Sequence, residues 1–219
     1  MKDKLKLTCF SDLLCIWAYI SQARLDEVIH SFPDSVEIEH RFCSVFGDTL
    51  HKIGKGWADR GGYDGFGKHA QEVAARFDHI SVHPQLWKNN PPASSTPAHL
   101  VIKAVQHVSP HQTEEFIHQL RNHFFVQCEN ISQWSVLQDV MGITGVDVAA
   151  VRECLAGGTA HAHLEADRRE QLANMVSGSP TILLNEGRQK LYGNVGYSVI
   201  EANIRELLRS PESGAASWC

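Results

Sequence analysis

The N-terminal segment contains two strand patterns with one helix pattern between them, and this order restricts the fold more than any other feature. Residues 5–9 alternate apolar and polar side chains, which is the period of a half-buried strand. Ser11 and Asp12 then supply side chains that start helices, and apolar residues recur at helical spacing over 15–32. Residues 36–45 alternate again. A strand, a helix and a second strand so close together predict a βαβ unit with a parallel strand pair.

The middle of the chain shows helix patterns, which predict a helical insertion. Residues 54–67 are rich in glycine, and 89–97 form a loop signal of asparagine, proline and serine. No strand pattern follows until after residue 165. The predicted helices lie at 68–78, 97–108, 111–126, 132–141 and 147–156.

Strand patterns return near the C-terminus. A short apolar run at 181–184 follows the Gly-Ser-Pro segment at 178–180. The Asn-Glu-Gly turn at 185–187 precedes a second run at 189–192, which predicts a hairpin. Apolar residues at helical spacing over 200–208 predict an amphipathic last helix.

The composition is that of a soluble globular protein. The chain has 219 residues, of which 43% are apolar and 21% charged, and a net charge of −5. No apolar run approaches the roughly 18 residues that a membrane helix needs. No cluster of lysine and arginine offers a surface for nucleic acid. The N-terminal sequence MKDKLKLTCF lacks the apolar stretch of a signal peptide, which predicts a cytoplasmic protein.

Cys15 carries the strongest chemical signal among the six cysteines. It lies in SDLLCIWAY at the predicted start of the first helix, and Ala18 stands where a dithiol motif carries its second cysteine. A thiol at a helix N-terminus faces unpaired N–H groups and the positive end of the helix dipole. We therefore expect the pKa of Cys15 to lie below the free value of about 8.5. The alternative is an inert buried thiol, which is usual for cysteines in a reducing compartment.

Two segments resemble those of a known family. SDLLCIWAY resembles the Asp-x-x-Cys-Pro-Trp-Cys-Tyr segment of the DsbA-like thioredoxin-fold family, and GSPTILLNEGRQKLYG resembles its Gly-x-Pro-Thr hairpin. The chain is similar in particular to the cytoplasmic FrnE-type branch, whose relatives include 2-hydroxychromene-2-carboxylate isomerases and kappa-class glutathione transferases. Two departures matter, because Ile16 replaces the usual proline and Ala18 replaces the second cysteine.

The resemblance spans most of the chain and implies its domain organisation. It implies an α/β, thioredoxin-like fold with an inserted all-helical domain. The thioredoxin-like domain is expected at 1–47 and 166–210, the helical insertion at 48–165 and a flexible tail at 211–219. The active site is expected between the insertion and Cys15, because a sheet edge alone is too flat to enclose a small ligand.

The resemblance also implies the residues of the site. It implies that Cys15 is the nucleophile and that Ser179-Pro180 is a cis peptide beside it. In the family, the backbone before this proline pairs with an extended peptide or with glutathione, so the side chain of Ser179 is not expected to take part. Asn194 stands where relatives bind the γ-glutamyl end of glutathione, and a loop or N-cap role is the alternative. Trp17 either forms a wall of the binding site or belongs to the core.

Ala18 determines which reactions are open to the chain. Without a second cysteine at this position, an enzyme cannot resolve its own mixed disulfide. We therefore expect a monothiol thiol–disulfide oxidoreductase that uses glutathione as a co-substrate. The alternatives are a glutathione-dependent isomerase or transferase acting on a small organic substrate, and a non-catalytic thioredoxin-fold binding protein.

Other reactive side chains receive structural interpretations. Cys9 and Cys43 lie on the predicted strands and are expected to be core residues rather than resolving thiols. The polar run of His161, His163 and Glu165 is interpreted as solvated surface, and no metal is expected. The expected partner is glutathione or a small thiol or disulfide, and neither nucleic acid nor a membrane is expected. A homodimer stays open, because relatives often pair.

Overall fold

A four-stranded sheet joins the N-terminal and C-terminal segments of the chain. The computed structural model describes residues 4–209, and the predicted tail at 211–219, with Cys219, lies outside them. The strands are β1 (Leu5–Ser11), β2 (Val36–Phe42), β3 (Thr181–Leu184) and β4 (Gln189–Tyr192). Their order is β2–β1–β3–β4, with β2 parallel to β1, and β3 antiparallel to β1 and β4. The predicted βαβ unit and the predicted hairpin therefore meet at β1.

Helices make up most of the rest of the described chain. They are α1 (Ile16–Ser31), α2 (Gly62–Ala74), α3 (Thr96–Val108), α4 (Thr113–Arg121), α5 (Trp134–Thr144), α6 (Val148–Ala156), α7 (Thr159–Ala173) and α8 (Tyr197–Arg209). Short 3-10 or π-type turns lie at Leu50–Lys55, Ala58–Arg60, Pro110–Gln112 and Asn122–Val126. The helix predicted at 111–126 is thus divided into a turn, α4 and a second turn. None of these helices within residues 4–209 is long and apolar enough to cross a membrane.

The start of α1 differs from the sequence-based expectation. Ser11 is the last residue of β1, and Cys15 is the N-cap residue of α1 without a capping side chain. Asp12 does not cap the helix either. Its carboxylate accepts hydrogen bonds from the backbone N–H of Phe46 and the hydroxyl of Ser95 instead. Asp12 therefore holds the β1–α1 loop instead of starting the helix.

Ion pairs position α7, which no apolar periodicity predicts. Its buried residues are Ala160 and Asp167. The Asp167 carboxylate accepts from Arg41 Nη1 at 3.0 Å, from Lys103 Nζ at 2.7 Å and from the backbone N–H of Phe42 at 2.9 Å. The domain division stays a prediction, but its boundary at residue 166 falls inside this continuous helix.

Two groups of buried apolar side chains form most of the core. The smaller group packs β1 and β3 against α1 and α8, with Leu7, Leu25, Ile182 and Ile200 among its members. The larger group includes the loop before α1, the first half of α1 and the end of β2, and runs through α2 to α7. Each fully buried isoleucine or leucine contributes roughly 1.5–3 kcal/mol. Because α1 supplies residues to both groups, the helical insertion packs directly against the helix that carries Cys15.

Candidate active site

The β1–α1 loop presents Cys15 at the beginning of α1. The loop turns through a hydrogen bond from Cys15 N–H to the carbonyl of Asp12 at 3.1 Å. The Asp12 carboxylate is fully buried and accepts from Leu14 N–H at 3.0 Å, from Phe46 N–H at 2.8 Å and from Ser95 Oγ at 2.8 Å. Asp12 therefore ties the loop to the chain after β2 and to the residue before α3.

The segment before β3 lies against the Cys15 thiol. The Ser179–Pro180 peptide bond is cis. Cys15 Sγ donates to the carbonyl of Ser179 at 3.3 Å. Ser179 Oγ accepts from the backbone N–H of Asp12 at 2.9 Å. The structure thus brings Cys15, Ser179 and Pro180 together, although they are more than 160 residues apart in the chain. The side chain of Ser179 also bonds to the active-site loop, while its expected backbone contact with glutathione stays a prediction.

The thiol of Cys15 is buried, and burial controls its ionisation. Cys15 is 5% exposed. Burial raises its pKa above the ordinary range, and the charge of Asp12 acts in the same direction. Hydrogen bonds from the Ser179 side chain and from the backbone of Ala18 and Trp17 act in the opposite direction. The prediction of a lowered pKa is wrong for this structure, because desolvation outweighs the helix terminus.

Ala18 stands where a dithiol motif carries its second cysteine, so that position provides no second sulfur. Ala18 lies buried one turn into α1. Cys9 and Cys43 are also buried, and desolvation raises the pKa of both thiols far above the ordinary range. Cys43 packs with Phe10 and neighbouring apolar side chains. Both cysteines lie in the core, as the sequence-based interpretation expects.

The aromatic residues beside Cys15 point toward the insertion. Trp17 is partly buried and meets Phe77 edge to face, with ring centroids 6.3 Å apart. Tyr19 stacks on Phe125 at 4.4 Å. These contacts favour the packing role of Trp17 over the alternative of a binding wall, which stays a prediction.

Asn194 lies apart from the thiol in this structure. It is exposed and stands three residues before α8. Its Oδ1 accepts from Arg24 Nη1 at 2.6 Å. It is bonded to α1 through Arg24 rather than to Cys15 or Ser179, and its predicted contact with glutathione stays a prediction.

Two buried polar side chains near the loop have no clear sequence signal. His99 on α3 is buried, and its Nε2 accepts from the backbone N–H of Leu13 at 3.2 Å. Burial lowers the pKa of His99, so the ring is neutral and its proton is on Nδ1. Arg121 ends α4 and is also buried. Both residues fall in predicted helices, but helical periodicity does not distinguish a buried polar residue from a solvated one.

The remaining polar clusters of the described residues lie away from Cys15. Within residues 4–209, no group of three histidine, cysteine or acidic side chains is arranged to hold a metal ion. A cleft of about 490 Å³ lies along β2, with His40, Arg41, Lys103 and Asp167 in its lining. His40 pairs with Glu114, Arg41 and Lys103 pair with Asp167, and neither Cys15 nor Ser179 lines the cleft.

Several solved structures share this fold. A protein of Nitrosomonas europaea, provisionally assigned as a protein disulfide isomerase, has a TM-score of 0.79 at 13% identity, covering 97% of this chain and 100% of its own. The cytosolic disulfide reductase DsbM from Pseudomonas aeruginosa, solved with GSH, has a TM-score of 0.70 at 18% identity, covering 92% and 100%. A 2-hydroxychromene-2-carboxylate isomerase has a TM-score of 0.66 at 15% identity, covering 94% and 98%.

The sequence itself matches a family model over nearly its whole length. No curated protein matches the chain. The model of the DsbA-like thioredoxin domain matches residues 6–205, a range that contains Cys15, Ser179 and Pro180. The chain therefore belongs to the DsbA-like thioredoxin family.

Proposed function

We propose that this chain is a thiol–disulfide oxidoreductase that uses Cys15 as its single active-site cysteine and glutathione as its co-substrate. The observation that carries the proposal is the placement of Cys15 Sγ at the start of α1, 3.3 Å from the carbonyl of Ser179. Ala18 occupies the position of the resolving cysteine. Membership of the DsbA-like family supports the thiol chemistry, and the similarity to DsbM solved with GSH supports glutathione.

The proposed reaction needs one protein sulfur. The Cys15 thiolate attacks the glutathione sulfur of a mixed disulfide R–S–S–G, the S–S bond breaks, and R–S⁻ leaves and takes up a proton. Cys15 is then joined to glutathione by a disulfide. A second glutathione thiolate attacks the glutathione sulfur of that disulfide, which releases oxidised glutathione and restores the Cys15 thiolate. The substrate is reduced by two electrons, and two glutathione units become one oxidised molecule.

The surroundings of Cys15 serve both states of the sulfur. The Ser179 carbonyl accepts a hydrogen bond from the S–H group of the resting thiol. The Ser179 hydroxyl and the first backbone N–H groups of α1 favour the thiolate. Because burial raises the pKa of the thiol, we expect the reaction to accelerate as the pH rises above neutrality.

A glutathione-dependent isomerase or transferase is the second candidate. The similarity to 2-hydroxychromene-2-carboxylate isomerase favours it, as does the absence of a second cysteine at position 18. In that case Cys15 would help to hold glutathione and would form no disulfide with it.

We also propose a cytoplasmic location, because the reaction depends on a pool of reduced glutathione. The five cysteines of residues 4–209 are all free thiols, which suits a reducing compartment. DsbM is described as cytosolic, whereas another neighbour, from Salmonella enterica, is described as periplasmic.

A mass spectrum after incubation with oxidised glutathione tests the proposed function. We expect one glutathione adduct on the Cys15 peptide in the unmodified chain and in the Cys43→Ser variant, and none on that peptide in Cys15→Ser. Ala18→Cys should accelerate the reduction of insulin, because it restores an internal resolving thiol. An unmodified Cys15 in the presence of excess oxidised glutathione would contradict the oxidoreductase and favour the isomerase or a non-catalytic binding protein.

A further inference from the structure

Arg121 is a buried charge that the reaction described above does not use. It is the last residue of α4 and is 2% exposed. An arginine side chain stays protonated in proteins. Burying such a charge is costly unless an opposite charge and hydrogen bonds compensate it. We therefore expect a negative charge near the guanidinium that compensates its burial.

The hydrogen bonds of Arg121 do not neutralise its charge. Nη1 donates to Gln22 Oε1 at 2.8 Å, and Nη2 donates to Ser11 Oγ at 3.4 Å. Nε is buried and has no partner among the described residues. Both partners are neutral, and no carboxylate of residues 4–209 forms a salt bridge with Arg121. The nearby acids are paired elsewhere, Glu114 with His40 and Asp26 with His118.

The two partners of Arg121 flank the Cys15 thiol along the chain. Ser11 ends β1 just before the active-site loop, and Gln22 lies on α1. Residues three to four apart share one face of a helix, so Cys15, Ala18 and Gln22 follow one side of α1. Arg121 is thus held on the side of α1 where a dithiol enzyme would carry its second cysteine. Burial lowers the pKa of Arg121 to about 10, and the negative forms of Cys15, Glu114, Asp26 and Cys9 act in the opposite direction, with Cys15 the largest of them.

We propose that Arg121 supplies the positive charge that stabilises the thiolate of Cys15. Arg121 acts on the reacting sulfur through its charge and touches no substrate. The inference rests on the proposed function only in so far as that function needs a thiolate.

The other groups around Cys15 do not provide this charge. Asp12, in the β1–α1 loop, is negative and disfavours the thiolate. His99 on α3 is neutral, and Lys103 on the same helix is bound to Asp167. The thiols of Cys9 and Cys43 stay protonated, because burial raises their pKa values. Ser179 contributes a hydroxyl without a net charge. Among these groups Arg121 is the buried cation without an acidic partner, and its charge is coupled to that of Cys15.

The pH dependence of Cys15 alkylation tests the proposal without glutathione. Iodoacetamide is applied across a pH series and the modified peptide is quantified by mass spectrometry. In Arg121→Met we expect the midpoint for Cys15 to rise by about one pH unit, with alkylation at neutral pH about tenfold slower. Arg121→Lys should keep most of the effect, and Arg76→Met, which removes an exposed arginine, should match the unmodified chain. A folded Arg121→Met with an unchanged midpoint would overturn the proposal.

A measurement on the unmodified chain covers the case in which Arg121→Met does not fold. The Nε–H resonance of Arg121 is followed by NMR through the titration of Cys15. We expect it to shift with the Cys15 midpoint and to lose that step in Cys15→Ser. An Arg121 Nε–H chemical shift that does not change as Cys15 titrates would also overturn the proposal. A missing glutathione adduct alongside these results would contradict the proposed function and leave the role of Arg121 standing.

Discussion

At the scale of the residue, two opposing influences act on the Cys15 sulfur. Burial and the charge of Asp12 favour the thiol, while the hydroxyl of Ser179 and the helix N–H groups favour the thiolate. Ser179 is central to this balance. Its carbonyl accepts from Sγ, and its side chain is bonded to the N–H of Asp12. One residue before Pro180 therefore both orients the active-site loop and influences the ionisation of the thiol.

Replacing Ser179 by alanine should affect both properties. The variant leaves the buried N–H of Asp12 without its acceptor, which costs about 1–3 kcal/mol in the free energy of unfolding. It also removes a hydrogen bond that favours the thiolate, so the pKa of Cys15 should rise further. Urea unfolding and the pH dependence of alkylation measure the two effects. Ser179→Thr keeps the hydroxyl and is the matched control. A Ser179→Ala variant as stable as the unmodified chain would show that the side-chain bond contributes nothing.

At the scale of the element, α7 is attached mainly by charge, because it adds few apolar side chains to the core. Asp167 is fully buried and binds Arg41 beside it on β2 and Lys103 on α3. Further acids, Glu39 and Glu170, also contact Arg41. This network joins the edge strand of the sheet to two helices. It explains how a helix with a mostly polar sequence keeps a fixed place.

Removing the acid at the centre of this network should destabilise the protein strongly. Asp167→Ala leaves the buried Lys103 without its acidic partner, whereas Arg41 keeps Glu39 and Glu170, and breaking such a buried pair typically costs about 3–5 kcal/mol. Glu165→Ala is the matched control on the same helix, because Glu165 is exposed and pairs only loosely with Arg168 at 3.6 Å. Its effect should stay within about 0.5 kcal/mol. Chemical unfolding of both variants gives the comparison, and equal losses would rule out a special role for Asp167.

At the scale of the whole molecule, the helical insertion and the sheet share a core. The larger apolar group contains Leu13, Leu14 and Ile20 from the β1–α1 region, together with Phe42 at the end of β2 and residues of the insertion. The smaller group uses Leu25 and Val28 of the same α1 helix. Because α1 belongs to both groups, neither can lose its packing without exposing the other.

The shared core predicts that the molecule unfolds in one cooperative step. Tryptophan fluorescence reports chiefly on α1 and the insertion, where Trp17, Trp57, Trp87 and Trp134 lie. Far-ultraviolet circular dichroism reports on the secondary structure of the whole chain. We expect the two signals to give the same midpoint in urea. Two separated transitions would instead indicate that the insertion folds as an independent domain.

The sequence by itself determined the order of the four strands, most of the helices and the location of the candidate site. The alternating residues at 5–9 and the apolar run at 181–184 are local patterns. Each indicates a strand from the side chains of its own segment. The segment around Cys15 and the hairpin motif sufficed to predict the DsbA-like fold, which the family match confirms. That prediction came from the resemblance of these two segments to the family, whereas apolar periodicity predicted only the single strands and helices.

Only the tertiary structure decided the electrostatics of the site. Whether the Cys15 thiol is activated depends on its burial and on Arg121 and Ser179, which lie more than 100 residues away in the chain. Asp12 looked like a helix-starting residue but anchors the loop, and α7 has no apolar stripe to predict it. Desolvation and charge depend on every group that packs around an atom, and local periodicity carries no information about those distant partners.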